Sequence, residues 1–145
     1  MPQVVRVEIP YSPREWAELV HASEARFRVV AAHRRSGKSV LAVNELIRAA
    51  FRKVGRLAYI APSYRMAKGI AWDIFKKYIP WDLVDKVNES ELSIRFKNGS
   101  TIELYGSETE QTLRGREFHG VVFDEYAMQG HNVFTEVILP TLATT

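Results

Sequence analysis

The sequence predicts an α/β domain: a mostly parallel sheet with helices on both faces and an inserted β-hairpin. Three observations carry that reading. Short, uniformly apolar runs at residues 27–32, 57–61 and 121–123 have the character of strands buried on both faces. Amphipathic stretches of helical period stand between them, which favours parallel strands joined by crossover helices. Leu92, Ile94 and Phe96 alternate up to Asn98-Gly99, and Ile102 and Leu104 alternate away from it. That is the pattern of a hairpin with a type I′ turn.

The elements follow in chain order. Ser12 and Pro13 read as the N-cap and first residue of a helix, with Trp16, Leu19 and Val20 on one face. Residues 27–32 form the first buried strand, centred on Val29 and Val30. Residues 40–53 carry Val43, Leu46, Ile47, Ala50 and Phe51 at amphipathic spacing, and Gly55 stops that helix. A second strand over 57–61 is closed by Pro62. A helix over 66–78 turns Ile70, Ile74 and Phe75 inward, and Pro80 lies beyond its end. After the hairpin come the strand at 121–123 and a helical stretch at 134–139. Tyr105, Trp72 and Trp81 read as core or hairpin packing.

The chain of 145 residues has the length of one domain, and no repeat, low-complexity tract or linker divides it. No apolar run approaches the roughly 18 residues of a membrane span, and the N-terminus lacks a signal-peptide pattern. Without cysteine there is no disulfide, thiolate metal site or thiol nucleophile. Histidines 21, 33, 119 and 131 lack metal-ligand spacing. The net charge is only +3, but residues 1–60 hold 11 Lys/Arg against 5 Asp/Glu, whereas residues 61–145 hold 9 against 12. A basic first half suits phosphates, of a nucleotide or of a nucleic-acid backbone.

The chemistry enters between the first strand and the helix that follows it. Gly37, Lys38 and Ser39 match the end of a phosphate-binding loop, G-x-x-x-x-G-K-[ST], with Ala32 where the first glycine normally stands. Gly37 lets the backbone approach phosphate, and N–H groups at the helix start, those of Arg35 and Ser36 included, point at negative charge. Lys38 reaches β- and γ-phosphates, and Ser39 offers a hydroxyl to Mg²⁺. At the end of the last strand, Asp124 would hold that metal and Glu125 would polarise a water in line with the γ-phosphate. Arg34 and Arg35 lie inside the loop, and at least one is expected to reach the phosphates or a carboxylate. Arg114 and Arg116, in a glycine-flanked loop, are both candidates for a finger offered to a neighbouring subunit.

In order and spacing these pieces resemble the N-terminal ATPase domain of the large terminase subunit of tailed bacteriophages and prophages. The resemblance rests on Tyr11-Ser12-Pro13-Arg14, the loop Arg34 to Ser39, Ile60-Ala61-Pro62-Ser63-Tyr64, the hairpin with Asn98-Gly99-Ser100, Leu113-Arg114-Gly115, and Phe123-Asp124-Glu125-Tyr126-Ala127. It implies a P-loop NTPase fold of the ASCE type and Mg²⁺-dependent ATP hydrolysis that drives double-stranded DNA into a viral procapsid. It further implies a ring-forming homo-oligomer, the portal protein and small terminase subunit as partners, and the cytoplasm of a bacterial host, with no membrane involved. Arg34 would be the in-loop arginine and Arg114 the finger. Trp16-Ala17-Glu18 stands where such enzymes often carry an adenine-reading glutamine. Residues 1–145 would be the motor domain, incomplete at its C-terminal end, with the coupling strand and the nuclease domain absent. A helicase-like ATPase and a non-catalytic nucleotide-binding or assembly fragment are the alternative readings.

Overall fold

The computed structural model describes residues 9–25, 28–30, 37–109, 113 and 115–125. Helix α1 (Glu15–Ala22) is followed by α2 (Lys38–Arg52), strand β1 (Arg56–Ala61), and a continuous helical stretch: α3 (Tyr64–Met66), a π-helical segment (Ala67–Trp72) and α4 (Asp73–Tyr78). Strands β2 (Val84–Asn88), β3 (Ser93–Phe96), β4 (Thr101–Gly106) and β5 (Gly120–Phe123) complete the elements. The sheet has the order β2-β3-β4-β1-β5. It is mixed: β4 and β5 run parallel to β1, while β2, β3 and β4 pair antiparallel. The expected hairpin exists, but it is no insertion. Its second strand, β4, is itself the parallel neighbour of β1, so the hairpin extends the main sheet.

Strand β1 lies between β4 and β5, and every residue from Leu57 to Ala61 is buried. Period-two alternation sends Leu57, Tyr59 and Ala61 to one face and Ala58 and Ile60 to the other. On the first face α2 contributes Val43, Leu46, Ile47 and Ala50, the later helical stretch contributes Ala67, Ala71, Trp72 and Phe75, and the hairpin contributes Ile94, Phe96, Ile102 and Leu104. On the second face Ala58 and Ile60 meet Leu113 and Phe118. Among the described residues, helices therefore cover one face of the sheet, and a loop segment covers part of the other.

Several local expectations are corrected. Helix α1 starts at Glu15 with Arg14 as N-cap, later than Ser12 and Pro13, and it buries Ala17 while Leu19 is exposed. Residues 28–30 form no strand. Arg28 bonds the Val20 carbonyl at 2.8 Å and Glu45 at 3.0 Å, which ties the segment to α1 and α2 and leaves Val29 95% exposed. The remainder of the expected strand 27–32 lies outside the described residues, as does the helical stretch 134–139. Helix α2 ends at Arg52, before Gly55, with Lys53 already extended. In the π-helical segment the wider turn brings Ala71 and Trp72 round behind Ala67, so Ile70 points outward. Trp72 is in the core as expected, Tyr105 is half-buried against Phe118, and Trp81 is largely exposed.

The hairpin turn also differs. Gly99 alone has positive φ, +98°, with Gly99 N–H donating to the Phe96 carbonyl at 3.0 Å and Phe96 N–H to that of Ser100 at 2.9 Å. This is a three-residue loop with a left-handed glycine, not a type I′ turn. Its side chains have a second task. Asn98 and the buried Ser100 hydroxyl both donate to the Ala50 carbonyl, at 3.0 and 2.6 Å, and Ser100 accepts from Gly55 N–H at 3.2 Å. The hairpin thereby satisfies a carbonyl in the last turn of α2 and fixes that helix against the sheet. Replacing Ser100 by alanine leaves the Gly55 N–H without its acceptor and should lower stability by about 1–3 kcal/mol. Urea unfolding followed by circular dichroism measures it.

Candidate functional site

The site is built where the N-terminus of α2 meets the C-terminal ends of β1 and β5. In a parallel pair these ends coincide, and open α/β sheets place ligands there. Gly37, with φ of +88°, is the N-cap of α2. Its left-handed backbone turns the chain into the helix, and the Arg14 guanidinium lies 4.0 Å from where a β-carbon on Gly37 would stand. Among the described residues no side chain caps α2, no acid occupies its first turn, and its first residue is Lys38. Two cations beside the positive end of a helix oppose the usual preference, a penalty of about 0.3–1 kcal/mol each when exposed. An anion at the same place reverses that sign.

Across from Lys38 and Ser39 stands Asp124. Its N–H continues the sheet ladder to the Ile60 carbonyl at 3.0 Å, so the carboxylate is fixed at the strand end. Alternation along β5 puts Asp124 on the face of Val122, which packs into the core beneath α2. Ser39 Oγ donates to Asp124 Oδ2 at 2.7 Å, although 85 positions separate the two residues. The Tyr59 hydroxyl donates to the same Oδ2, and Glu125 N–H donates to Oδ1 at 2.9 Å. Glu125 itself is exposed and has φ of +52°, a left-handed conformation that is uncommon for a residue with a side chain.

Tyr59 is a site residue that motif and spacing do not single out. The signal is nonetheless present: one tyrosine in the run Leu57-Ala58-Tyr59-Ile60-Ala61, where a buried hydroxyl requires a partner. It is 1% exposed, with its ring edge-on to Phe75. Burial, reinforced by the adjacent Asp124 carboxylate, pushes its hydroxyl far above the ordinary tyrosine range. Tyr59 is therefore a permanent donor at physiological pH. Arg14, which the sequence offers only through the family resemblance, is the other neighbour of the site that spacing does not single out.

The donor set fits a magnesium nucleotide. One hydroxyl and one carboxylate are hard oxygen ligands, and Mg²⁺ is usually held by one or two such groups together with substrate phosphates. Among the described residues no group of three or more His, Asp and Glu could hold a metal without such help. Of the sequence-predicted residues, the fold thus brings Ser39 and Asp124 into contact, with Gly37 and Lys38 at the same helix end and Glu125 next in the chain. Arg34, Arg35, Ser36 and Arg114 lie outside the described residues. Arg116 is engaged within the chain: it pairs with Glu103 at 3.8 Å and lies 5.7 Å from the Tyr105 ring centre. Gly115, beside it, has φ of +78°.

Comparison with known proteins gives a consistent answer. Residues 31–145 match the family model described as "Terminase large subunit, T4likevirus-type, N-terminal". The chain is 29% identical to proteins named "Terminase, large subunit" of Thermus phage G20c and of Thermus virus P23-45, with 92% of this chain aligned in each case. It spans 32% of the length of those relatives. Among solved structures it is similar to the large terminase ATPase domain of Thermus phage P74-26, with 27% identity and a TM-score of 0.77. That match covers 90% of this chain and 60% of the other.

The Tyr59 bond predicts a pH signature. A hydroxyl that holds its proton more tightly when folded contributes stability that is complete below the unfolded tyrosine value of 10.0 and is lost as pH rises above it. Tyr59→Phe should cost about 1.5–3 kcal/mol at neutral pH, as for a hydrogen bond to a charged group. Above pH 10 its alkaline loss should be shallower than that of the parent chain by about 1.4 kcal/mol per pH unit. Urea unfolding at a series of pH values checks both.

Proposed function

We infer that this chain, which belongs to the T4-like terminase large-subunit family and matches its N-terminal part, binds ATP with Mg²⁺ and hydrolyses it to drive double-stranded DNA into a viral procapsid. The fold is then a P-loop NTPase of the ASCE type, and residues 1–145 are motor domain. The observation that carries the reading is the 2.7 Å bond from Ser39 to Asp124. Two hard oxygens from distant parts of the chain meet at a helix N-terminus led by a lysine, and a metal-bound triphosphate needs that combination.

Each residue is assigned a role by its motif and, where it is described, by its position. The N–H groups of Arg35, Ser36 and Gly37 cradle phosphate, and Lys38 neutralises the β- and γ-phosphates. Ser39 and Asp124 would hold Mg²⁺, which would neutralise charge developing on the γ-phosphate. The Tyr59 hydroxyl, as donor to Asp124 Oδ2, orients that carboxylate. Glu125, one residue past the strand end, orients the attacking water and accepts its proton. Its left-handed backbone is held by the bond from its N–H to Asp124 Oδ1. Arg34 acts on the γ-phosphate from within the loop. Arg114 acts as the finger into the neighbouring subunit of a ring. This assignment is favoured over Arg116 because Arg116 is occupied by Glu103 and Tyr105.

Partners follow from the same reading: duplex DNA, the portal protein and the small terminase subunit, in the cytoplasm of an infected bacterium. No helix among the described residues is long and apolar enough to cross a membrane.

Nucleotide-dependent melting tests the site. At ATP about 100-fold above Kd the parent chain should gain about 2.7 kcal/mol of apparent stability, and Lys38→Ala should lose that gain. Glu125→Ala should keep it while turnover, read by phosphate release, falls by about 10²–10⁴. A Lys38→Ala chain stabilised as strongly as the parent removes Lys38 from the site. Equal turnover in parent and Glu125→Ala chains removes Glu125 from catalysis.

A further inference from the structure

The connection from β4 to β5 has a fixed course that the nucleotide site does not explain. Strands β4 and β5 lie on either side of β1 and run parallel to it, so the chain between them has to cross a face of β1. It crosses the face turned away from α2, where Leu113 and Phe118 are buried against Ala58 and Ile60. Both ends of the crossover are pinned. At its start the Ser107 hydroxyl donates to the Pro62 carbonyl at 3.3 Å, and Glu108 accepts from Tyr64 N–H at 2.7 Å. At its finish His119 N–H donates to the Arg56 carbonyl at 2.8 Å, and Arg56 N–H donates to His119 Nδ1 at 3.2 Å.

Between those ends one carboxylate acts as a clamp. Glu103 stands beside Ala58 in the β1–β4 pair, and alternation sends it to the crossover face, opposite in direction to the buried Ile102 and Leu104. It accepts from the Tyr105 hydroxyl and pairs with Arg56 at 3.0 Å and with Arg116 at 3.8 Å. Its side chain is 14% exposed, so the pairs are less screened than those of a fully solvated carboxylate. Arg116 also lies 5.7 Å from the Tyr105 ring centre and has contacts besides these. The clamp closes just past a tight turn: Gly115 has φ of +78°, and Arg116 N–H donates to the Leu113 carbonyl at 3.4 Å. Arg114 is the residue between the buried Leu113 and Gly115, so in the chain it is bracketed by the apolar anchor and the clamp.

We propose that Glu103 is a positioning residue for the trans-acting arginine: by holding Arg116 to β4 it sets where the turn at Leu113 and Gly115, and Arg114 with it, leaves the sheet face. The inference rests on the reading of Arg114 as a finger offered to a neighbouring subunit. Burial of Leu113 and Phe118 is non-directional and holds the crossover down, whereas the ion pair fixes its position along the strands. A finger has to meet a γ-phosphate held by another chain, and a misplacement of about 1 Å can cost about 10²-fold in rate. Glu103 lies across the sheet from α2 and Ser39, so its loss should slow turnover without weakening nucleotide binding.

The test is turnover, read by phosphate release, in Glu103→Gln chains alone and mixed with Glu125→Ala chains. Alone, Glu103→Gln should lower kcat by about 10- to 100-fold, with the KM for ATP and the ATP-induced melting shift unchanged. Mixed in equal amounts, the two variants should regain turnover, because about one interface in four joins an intact site from a Glu103→Gln chain to an intact finger from a Glu125→Ala chain. A variant that is merely damaged in its fold brings no intact site and recovers nothing. Tyr105→Phe, which removes one donor from the carboxylate and leaves its charge, should lower kcat by a smaller factor and recover in the same mixture. The control is Arg114→Ala mixed with Glu125→Ala. No recovery in that control, or no turnover by the parent chain, overturns the finger reading and the proposal with it. Recovery in the control but in neither of the other mixtures, a kcat equal to the parent's in both variants, or a melting shift lost from both overturns the proposal alone.

Discussion

The Asp124 carboxylate is the constraint around which this fold is organised. Among the described residues, donors converge on it from the Ser39 hydroxyl at the start of α2, the Tyr59 hydroxyl in the middle of β1, and the N–H of Glu125. Each comes from a different part of the chain, so the carboxylate ties together the start of α2, strand β1 and the last described strand. A carboxylate beside a packed core is tolerable only when its oxygens are satisfied, and these are.

Packing explains why the donors meet. Helix α2 is held at its far end by the hairpin, through Asn98 and Ser100 on the Ala50 carbonyl, and along its length by Val43, Leu46, Ile47 and Ala50. Its N-terminus is left without a side-chain cap and with a lysine in first position. Stability concentrates at one end of the helix and the electrostatic mismatch at the other. Local rules of sequence are commonly broken at functional sites, and the uncapped end of α2 fits that pattern.

Much of this is legible from residues alone. Gly37-Lys38-Ser39 and Asp124-Glu125 are compact motifs whose chemistry depends on residue type, and the amphipathic spacing of α2 determines which of its sides faces the sheet. Where expectation and structure part, the reasons are tertiary. Asn98-Gly99 predicts a type I′ turn, yet Asn98 keeps ordinary φ because its amide is committed to Ala50 and Ser100. A 3.6-residue period turns Ile70 inward, but a π-helical turn does not obey that period. Local alternation presents the hairpin as an insertion, because pairing of β4 with β1 is a long-range choice that no local pattern encodes. Tyr59 hides inside an apolar run, so its place beside Asp124 is visible only once β1 and β5 are paired.

The most direct test of the central contact is a double-mutant cycle between Ser39→Ala and Asp124→Asn, read as Mg²⁺-dependent ATP affinity by calorimetry. If the two side chains hold one metal nucleotide, their effects should be coupled by about 0.5–3 kcal/mol, the double variant losing less than the sum of the singles. Strictly additive losses, or an affinity indifferent to Mg²⁺ in the parent chain, would contradict the account.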